Sequence, residues 1–180
     1  LLATAVLGAY AIKEFGTDKQ KSKYLPLIAD GEITTAIAFD ESSHHDISNT
    51  ELSAVEADGS FVLNGSKKLV VDGSSADVLI VLGRTSGAKG EMAGLSLFIL
   101  ESHTDGVSRA KLDMADSRNY ANIEFNDVVV SPDALLGSRE AGGEAMDHIL
   151  DIGRIALSAE MLGNACLLYT SDAADDSLRV

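Results

Sequence analysis

The run from Glu41 to Asp46, with the sequence ESSHHD, is the densest group of side chains that could do chemistry in this chain. It holds two carboxylates and two imidazoles, which bind divalent metals or transfer protons in many proteins. Neighbouring residues of an extended chain point in opposite directions, and the sequence has no second cluster of His or Cys at ligand spacing. By itself, the run is therefore interpreted as a polar loop at a strand end rather than a metal site.

The common motifs of other enzyme classes are absent from the sequence. The glycine-rich segment from Gly137 to Gly143 is followed by Glu144, where a phosphate-binding loop needs Lys and then Ser or Thr. No G-x-G-x-x-G run follows a predicted strand, and no G-x-S-x-G elbow occurs. These patterns give no support to a dinucleotide-binding Rossmann domain or an α/β-hydrolase.

Composition restricts the partners further. The formal net charge of −14 disfavours nucleic acid and anionic membrane surfaces, since both bind clustered Lys and Arg. The single cysteine, Cys166, cannot form an internal disulfide, and the first residues do not show the succession of a signal peptide. A cytoplasmic location without membrane insertion is therefore expected.

Two helices are predicted before residue 31. Residues 1–14 are rich in Leu and Ala, and Phe15-Gly16 follows them as a typical helix end. Thr17 stands three residues before Gln20, which is the spacing of a capping box, so a second helix begins there. Pro26 removes one internal hydrogen bond and is expected to kink or shorten this second helix.

The middle of the chain, from Ile33 to Val130, is predicted to be a β domain. Its short runs of Val, Ile, Leu and Thr are separated by three Asx-Gly pairs typical of hairpin turns, namely Asp58-Gly59, Asn64-Gly65 and Asp72-Gly73. No long helical pattern interrupts the runs, so a closed or orthogonally packed antiparallel barrel is favoured over a βαβ sheet. The predicted fold class is α+β, an antiparallel β-barrel middle domain flanked by helices.

A third helix is predicted over Glu144–Cys166, where apolar residues return at helical spacing. Asp151 and Arg154 are three residues apart and share a face of this helix, which by itself predicts an exposed ion pair. Residues 168–180 break the apolar stripe and are interpreted as a non-native or disordered tail, with an acidic surface loop as the alternative.

The order of several short motifs resembles the acyl-CoA dehydrogenase family over Ala11 to Ala165. The motifs are Phe15-Gly16-Thr17-Asp18-Lys19-Gln20-Lys21, Tyr24-Leu25-Pro26, Gly31-Glu32-Ile33, Ala38-Phe39-Asp40-Glu41, Val62-Leu63-Asn64-Gly65-Ser66-Lys67, Ala76-Asp77, Phe125-Asn126-Asp127-Val128, Leu135-Leu136-Gly137, and Leu150-Asp151-x-x-Arg154 leading to Leu162-Gly163. An ordered series of this kind is far more specific than any single motif.

The resemblance implies a domain plan. Residues 1–31 correspond to the end of an N-terminal helical domain, 32–138 to a complete middle β-barrel domain, and 139–167 to the first helix of a C-terminal helical domain. It also implies that FAD lies between the middle and C-terminal domains. The resemblance assigns the cofactor to Ile37, Phe39, Asp40, Glu41, His45, Leu69 and Val71, and the acyl-CoA substrate to His45, Asp151 and Arg154.

The sequence departs from the family at the proposed flavin contacts. The family usually has a Trp-Ile-Thr run where this chain has Leu69-Val70-Val71, and a hydroxyl residue where this chain has Asp40. An indole that stacks on the flavin and a hydroxyl donor are therefore replaced by apolar groups, and a carboxylate is added. Either other groups compensate for these losses or flavin binding is weakened.

The implied activity of the parent protein is α,β-dehydrogenation of an acyl-CoA thioester with FAD as hydride acceptor. In most members the catalytic base is a Glu well beyond Val180, and in some it stands immediately before the Arg that matches Arg154, where this chain has Gly153. No catalytic base is assigned within the chain, so the 180 residues by themselves are expected to be inactive.

Several alternatives and partners stay open from the sequence. The alternatives are a non-catalytic acyl-CoA-binding or scaffold homologue, and another flavin oxidase or monooxygenase of the same superfamily. The resemblance further implies an electron-transfer flavoprotein or another electron acceptor as partner, and a homodimer or homotetramer.

Overall fold

The computed structural model describes residues 2–116 and 118–176, the side chains of 171–176 excepted. The chain starts with a π-helical segment, Leu2–Gly8, which continues into α1 (Ala9–Phe15). Helix α2 (Asp18–Ala29) follows and contains Pro26 in its last turns. The Gln20 backbone N–H donates to Thr17 Oγ1 (3.2 Å) and the Thr17 N–H donates to Gln20 Oε1 (2.9 Å), which confirms the predicted capping box.

Eight strands form one mixed sheet between the helical segments. The strands are β1 (Thr35–Ala38), β2 (Ser53–Ala57), β3 (Ser60–Val71), β4 (Val78–Arg84), β5 (Leu95–Glu101), β6 (Val107–Leu112), β7 (Tyr120–Val130) and β8 (Leu135–Leu136). Strands β4 and β5 are each buried on both faces over their first six residues, and all of these residues except Ser96 are apolar, as is typical of central strands.

The predicted closed barrel is wrong, because the sheet is open. Its strand order is β6-β7-β3-β2-β4-β5-β8, with β1 pairing β4 off this path, and among the described residues its two ends do not pair with each other. Most pairs are antiparallel, but β1 runs parallel to β4 over four residues. Strand β2 touches β4 only through the Ser53–Arg84 pair, since β1 already occupies that edge. A closed barrel needs every edge to be paired around the ring.

The hairpin turn predicted at Asn64-Gly65 is also wrong, whereas Asp58-Gly59 and Asp72-Gly73 do lie in turns. Asn64 and Gly65 lie inside the long strand β3, at a shift in its register with β7. Gly65 has a φ of +142°, and a Cβ atom there would lie 2.8 Å from Leu52 Cα. Glycine is therefore required at this position by the close approach of the β2 backbone rather than by a chain reversal.

Two apolar cores lie on the two faces of the curved sheet. The first, between β1, β4 and β5 on one side and β3 and β7 on the other, centres on Leu63, Leu79 and Phe98. The second lies between the sheet and the helices, and it includes Ile12 and Ile80. Strand β1, whose end contributes to the candidate site, is buried over all four of its residues.

Helix α3 (Gly142–Asp176) leaves the sheet after its first turns. Met146 and Ile149 are fully buried in the second core, whereas Ile155 and Leu162 are each 67% exposed. The apolar stripe predicted for this helix is therefore covered only at its start. Residues 168–176 of the predicted tail continue α3, and residues 177–180 lie outside the described residues.

None of the helices in the described part of the chain is both long and apolar enough to cross a lipid bilayer.

Candidate active site

A cavity of about 380 Å³ lies between the helical start of the chain, the sheet and α3. Most of its lining is apolar, and the charged or titratable side chains on its wall are Asp40, His45, Lys68 and Arg154. The complete lining is Leu2, Ala3, Leu7, Ile37, Phe39, Asp40, His45, Lys68, Leu69, Val70, Val71, Leu150, Gly153, Arg154 and Leu157. The cavity therefore joins four segments that are more than 20 residues apart from one another in the chain.

One wall is formed by the end of β1 and the loop that follows it. Ile37 is buried in the second core, and the backbone beyond it is tied to β3 because the Lys68 N–H donates to the Asp40 carbonyl oxygen (2.8 Å). The Phe39 ring packs edge-on against the His45 ring, with 5.4 Å between the centroids. These contacts fix Asp40 and His45 on the same wall.

The Asp40 carboxyl and the His45 imidazole form a pair on this wall, with 3.0 Å between Asp40 Oδ1 and His45 Nδ1. The Asp40 side chain is 23% exposed and the His45 side chain 48% exposed. Burial raises the pKa of the Asp40 carboxyl above its usual value, although the hydrogen bond from His45 acts in the opposite direction. The pair thus stands between an apolar wall and the open side of the cavity.

The second wall is a bulge near the end of β3. The register between β3 and β7 shifts between Lys67 and Val70, and Leu69 adopts a φ of +53°, which is unusual for a residue other than glycine. The Leu69 N–H donates to the Asn122 side-chain oxygen (3.2 Å), which holds the bulge in place. The bulge allows Leu69 and Val71 both to line the cavity while they remain partly exposed.

The third wall is the part of α3 from Leu150 to Leu157. Arg154 lines the cavity, and its Nη1 atom lies 2.5 Å from Asp151 Oδ1. Asp151 does not line the cavity, since its side chain points outward and is 64% exposed. Gly153 faces Leu7, and a Cβ atom at this position would lie 3.0 Å from Leu7 Cδ2. Helix α3 therefore contributes the Arg154 cation to the cavity. At Gly153 its backbone lies close to Leu7 on the opposite wall.

The sequence model of the acyl-CoA dehydrogenase middle domain matches residues 37–128, just over half of the chain. The chain belongs to the acyl-CoA dehydrogenase family. It is 33% identical to an acyl-CoA dehydrogenase of Bacillus subtilis (strain 168) over 164 residues, which cover 88% of this chain and 43% of the relative.

Solved structures of family members superpose closely on the chain. Butyryl-CoA dehydrogenase from Megasphaera elsdenii gives a TM-score of 0.85 at 34% identity, covering 90% of this chain and 43% of that one. PigA with FAD and proline gives 0.83 at 26% identity, covering 88% of this chain and 42% of that one. The chain thus spans less than half the length of these acyl-CoA dehydrogenase relatives.

Glu41 of this acyl-CoA dehydrogenase chain does not line the cavity. Its carboxylate accepts hydrogen bonds from the backbone N–H groups of Glu51 (2.8 Å) and Leu52 (2.9 Å) and from Lys67 Nζ (2.8 Å). It therefore joins the end of β1, the start of β2 and the middle of β3. The structure brings six of the seven residues predicted for the cofactor to the cavity and leaves Glu41 behind its wall.

Sequence reasoning missed Lys67, the partner of Glu41. Its side chain is fully buried, and its ammonium group donates to the Phe39 carbonyl oxygen (3.0 Å) as well as to Glu41. Burial lowers the pKa of Lys67 to about 8, against the opposing effect of the Glu41 carboxylate. The signal was present, because Lys67 falls on the alternation that places Phe61 and Leu63 inward along β3.

Arg84 at the end of β4 was missed as well. Its guanidinium group donates to backbone carbonyl oxygens on both sides of the strand end, those of Ser48, Thr50, Ser86, Glu91 and Ala93. These bonds organise the loop before β2 and the glycine-rich loop after β4. No local sequence motif indicates this role of Arg84, since the acceptors are main-chain atoms of other segments.

The described residues contain no group of three or more His, Cys, Asp or Glu side chains placed to hold a metal ion. The ESSHHD run separates in the structure, as Glu41 turns to Lys67 while Asp46 Oδ1 accepts hydrogen bonds from the Ser48 backbone N–H (3.0 Å) and hydroxyl (2.6 Å).

Proposed function

We propose that this chain is the cofactor-facing part of a FAD-dependent acyl-CoA dehydrogenase, whose parent protein removes two hydrogens from an acyl-CoA thioester. The observation that carries the proposal is the single cavity shared by the end of β1, the β3 bulge and Arg154 of α3. These are the three segments that the family resemblance assigns to the flavin and the acyl chain. When bound, FAD supplies the two-electron acceptor for the reaction.

The residues present fit a flat, largely apolar ring system. The cavity volume of about 380 Å³ is within the usual size of ligand pockets, and it holds part of a molecule as large as FAD. Ile37, Phe39, Leu69 and Val71 offer apolar contacts on the sheet side, and Leu157 offers one on the helix side. The charged or titratable side chains on the wall are Asp40, His45, Lys68 and Arg154.

The substrate is proposed to meet His45 and Arg154 at the open side of the same cavity. Asp151 acts on Arg154 through their ion pair, which orients the guanidinium group without contributing a cavity surface of its own. Because Gly153 has no side chain, the position that carries a base in some relatives supplies no titratable group here. A carboxylate from outside residues 1–180 is proposed to act as the base that removes the α-proton.

The partners follow from the same proposal. The parent protein is proposed to pass electrons to an electron-transfer flavoprotein or another acceptor and to form a homodimer or homotetramer. Its cytoplasmic location also stays a prediction.

A visible absorption spectrum of the full protein that carries this chain tests the function. A flavin band that bleaches on addition of an acyl-CoA under anaerobic conditions is expected for the dehydrogenase. A colourless protein that still binds acyl-CoA would instead indicate a scaffold homologue, for which Leu69 and Val71 are the supporting residues.

A second candidate is a flavoenzyme of the same fold with a different substrate. The similarity to the solved structure of PigA with FAD and proline favours it, because FAD is accompanied there by an amino acid. In this case the flavin band is present but does not bleach with acyl-CoA of any chain length.

Restoring the family's flavin contacts is expected to tighten FAD binding. The double variant Leu69→Trp and Val71→Thr adds a stacking surface and a hydroxyl donor on the cavity wall, together about 1–2 kcal/mol of binding free energy. Calorimetric titration of the apoprotein with FAD measures the change. Val129→Thr, on the outer face of β7 and 60% exposed, is the matched control and is expected to leave the affinity unchanged. An unchanged or weaker affinity of the double variant contradicts the placement of these side chains against the ring.

A further inference from the structure

The Asp40–His45 pair stands on the cavity wall where the family places a hydroxyl donor. Hydride acceptance brings two electrons to FAD, and the ring gains negative charge. A lone carboxylate such as Asp40 would repel this charge across the cavity. The structure does not leave Asp40 alone, since His45 Nδ1 lies 3.0 Å from its Oδ1 atom.

The contact with Asp40 determines which nitrogen of His45 can exchange a proton. When Nδ1–H donates to the carboxylate, Nε2 is the nitrogen that can take up a second proton. The pair then carries one negative charge without that proton and no net charge with it. Imidazole is the side chain that changes charge most readily near neutral pH.

We propose that the Asp40–His45 pair takes up one proton from solvent at His45 Nε2 when the bound cofactor accepts a hydride, and so offsets the charge that the cofactor gains. The inference rests on the proposed function. It assigns to His45 the compensating role that Leu69, Val71 and Asp40 cannot fill. The hydride comes from the substrate, the proton comes from water, and no other reactant is needed.

The groups around the pair are compatible with this exchange. His45 is half exposed, so water reaches the ring. Asp40 is fixed through its carbonyl oxygen to the Lys68 N–H (2.8 Å), so the carboxylate cannot swing away with the loop. The other charged side chains that face the pair are Asp46 on its own loop, Lys67 and Lys68 on β3, and Arg154 on α3. Of these, Lys67 and Arg154 are already paired with Glu41 and Asp151.

The pH dependence of the flavin midpoint potential tests the inference. The potential is measured in the full flavin-loaded protein, with dithionite as reductant, between about pH 5 and 8, where a histidine exchanges protons. The wild-type potential is expected to fall more steeply than that of His45→Gln over part of this range. The expected difference between the two slopes is about 30 mV per pH unit. This corresponds to a tenfold change in equilibrium constant per pH unit for a two-electron couple.

Two further variants sharpen the test. His44→Gln is the matched control, because the His44 ring faces Ser43 rather than Asp40, and it is expected to keep the wild-type slope. Asp40→Asn keeps the ring but removes the carboxylate, so its profile is expected to differ from that of the wild type.

The outcomes separate this inference from the proposed function. A wild-type protein without a flavin band contradicts the proposed function and the inference together. A flavin band with equal slopes in the wild type and His45→Gln overturns the inference alone. If His45→Gln does not hold FAD, an Asp40→Asn profile identical to that of the wild type overturns it.

Discussion

Replacing Glu41 by Gln is expected to lower the free energy of unfolding by about 3–5 kcal/mol at neutral pH. Glutamine has nearly the same shape as glutamate, but it is uncharged. The change therefore leaves the fully buried Lys67 ammonium without its countercharge. It also turns one of two acceptors for the backbone N–H groups of Glu51 and Leu52 into a donor. Urea unfolding followed by circular dichroism measures the loss.

The size of this loss depends on pH in a defined direction. Burial lowers the folded-state pKa of Lys67 from its ordinary value of 10.5 to about 8, so the charged form costs stability below pH 8, and the cost disappears as pH rises from 8 towards 10.5. In Glu41→Gln the pKa of Lys67 falls further, because the carboxylate that raises it is gone. The difference between variant and wild type is therefore expected to be largest in mildly acidic solution and to shrink as the pH rises towards 8.

Two controls accompany this prediction. Glu51→Gln removes a carboxylate whose ion pair with Lys89 is exposed, and it is expected to cost no more than about 1 kcal/mol. The double variant Glu41→Gln with Lys67→Met removes the buried charge and is expected to recover most of the stability. A loss of equal size in acidic and alkaline solution would show that Lys67 is not the group responsible.

Replacing Arg84 by Lys is expected to lower the free energy of unfolding by about 3 kcal/mol, although the charge is kept. A lysine ammonium has three donors on one atom and cannot reach carbonyl groups on both sides of the strand end, whereas the planar guanidinium group does so. Hydrogen bonds to charged groups contribute about 1.5–3 kcal/mol each, and the variant loses at least one or two of them.

The loss at Arg84 is expected to be local as well as global. Amide hydrogen exchange should quicken at Thr85 and Ser86, whose N–H groups donate to the Gly94 carbonyl oxygen (2.8 and 3.2 Å) in the loop that Arg84 organises. Arg139→Lys is the matched control, because Arg139 forms an exposed ion pair with Glu56, and it is expected to change little. Similar losses in the two variants would contradict the role given to the Arg84 carbonyl contacts.

The candidate site was predictable from the sequence only through the order of its motifs. Composition and spacing favoured a polar loop without a binding role for the ESSHHD run. No local sequence pattern connected His45 with Leu69 or Arg154. The family resemblance connected them, and the structure gives the geometric reason. The parallel pairing of β1 with β4 brings the end of β1 next to the β3 bulge, and α3 crosses the same edge.

The sequence by itself determined the elements whose signals are local. The Thr17–Gln20 capping box, the Asp58-Gly59 turn and the runs of β4 and β5 each depend on residues close in the chain, so propensity and side-chain period suffice to locate them. The family membership was also contained in the sequence, because an ordered series of short motifs can be identified without any knowledge of contacts.

Only the tertiary structure decided that the sheet is open, that Glu41 faces Lys67, and why glycine is required at position 65. Each of these depends on a partner distant in sequence: β1 on the edge of β4, Lys67 beneath Glu41, and the Leu52 backbone against Gly65. An open sheet and a closed barrel share the same alternation of side chains, since the alternation reports burial and not the pairing of edges. Glu41 is held inward because a buried ammonium group needs a countercharge, and that need arises only once β3 places Lys67 in the core.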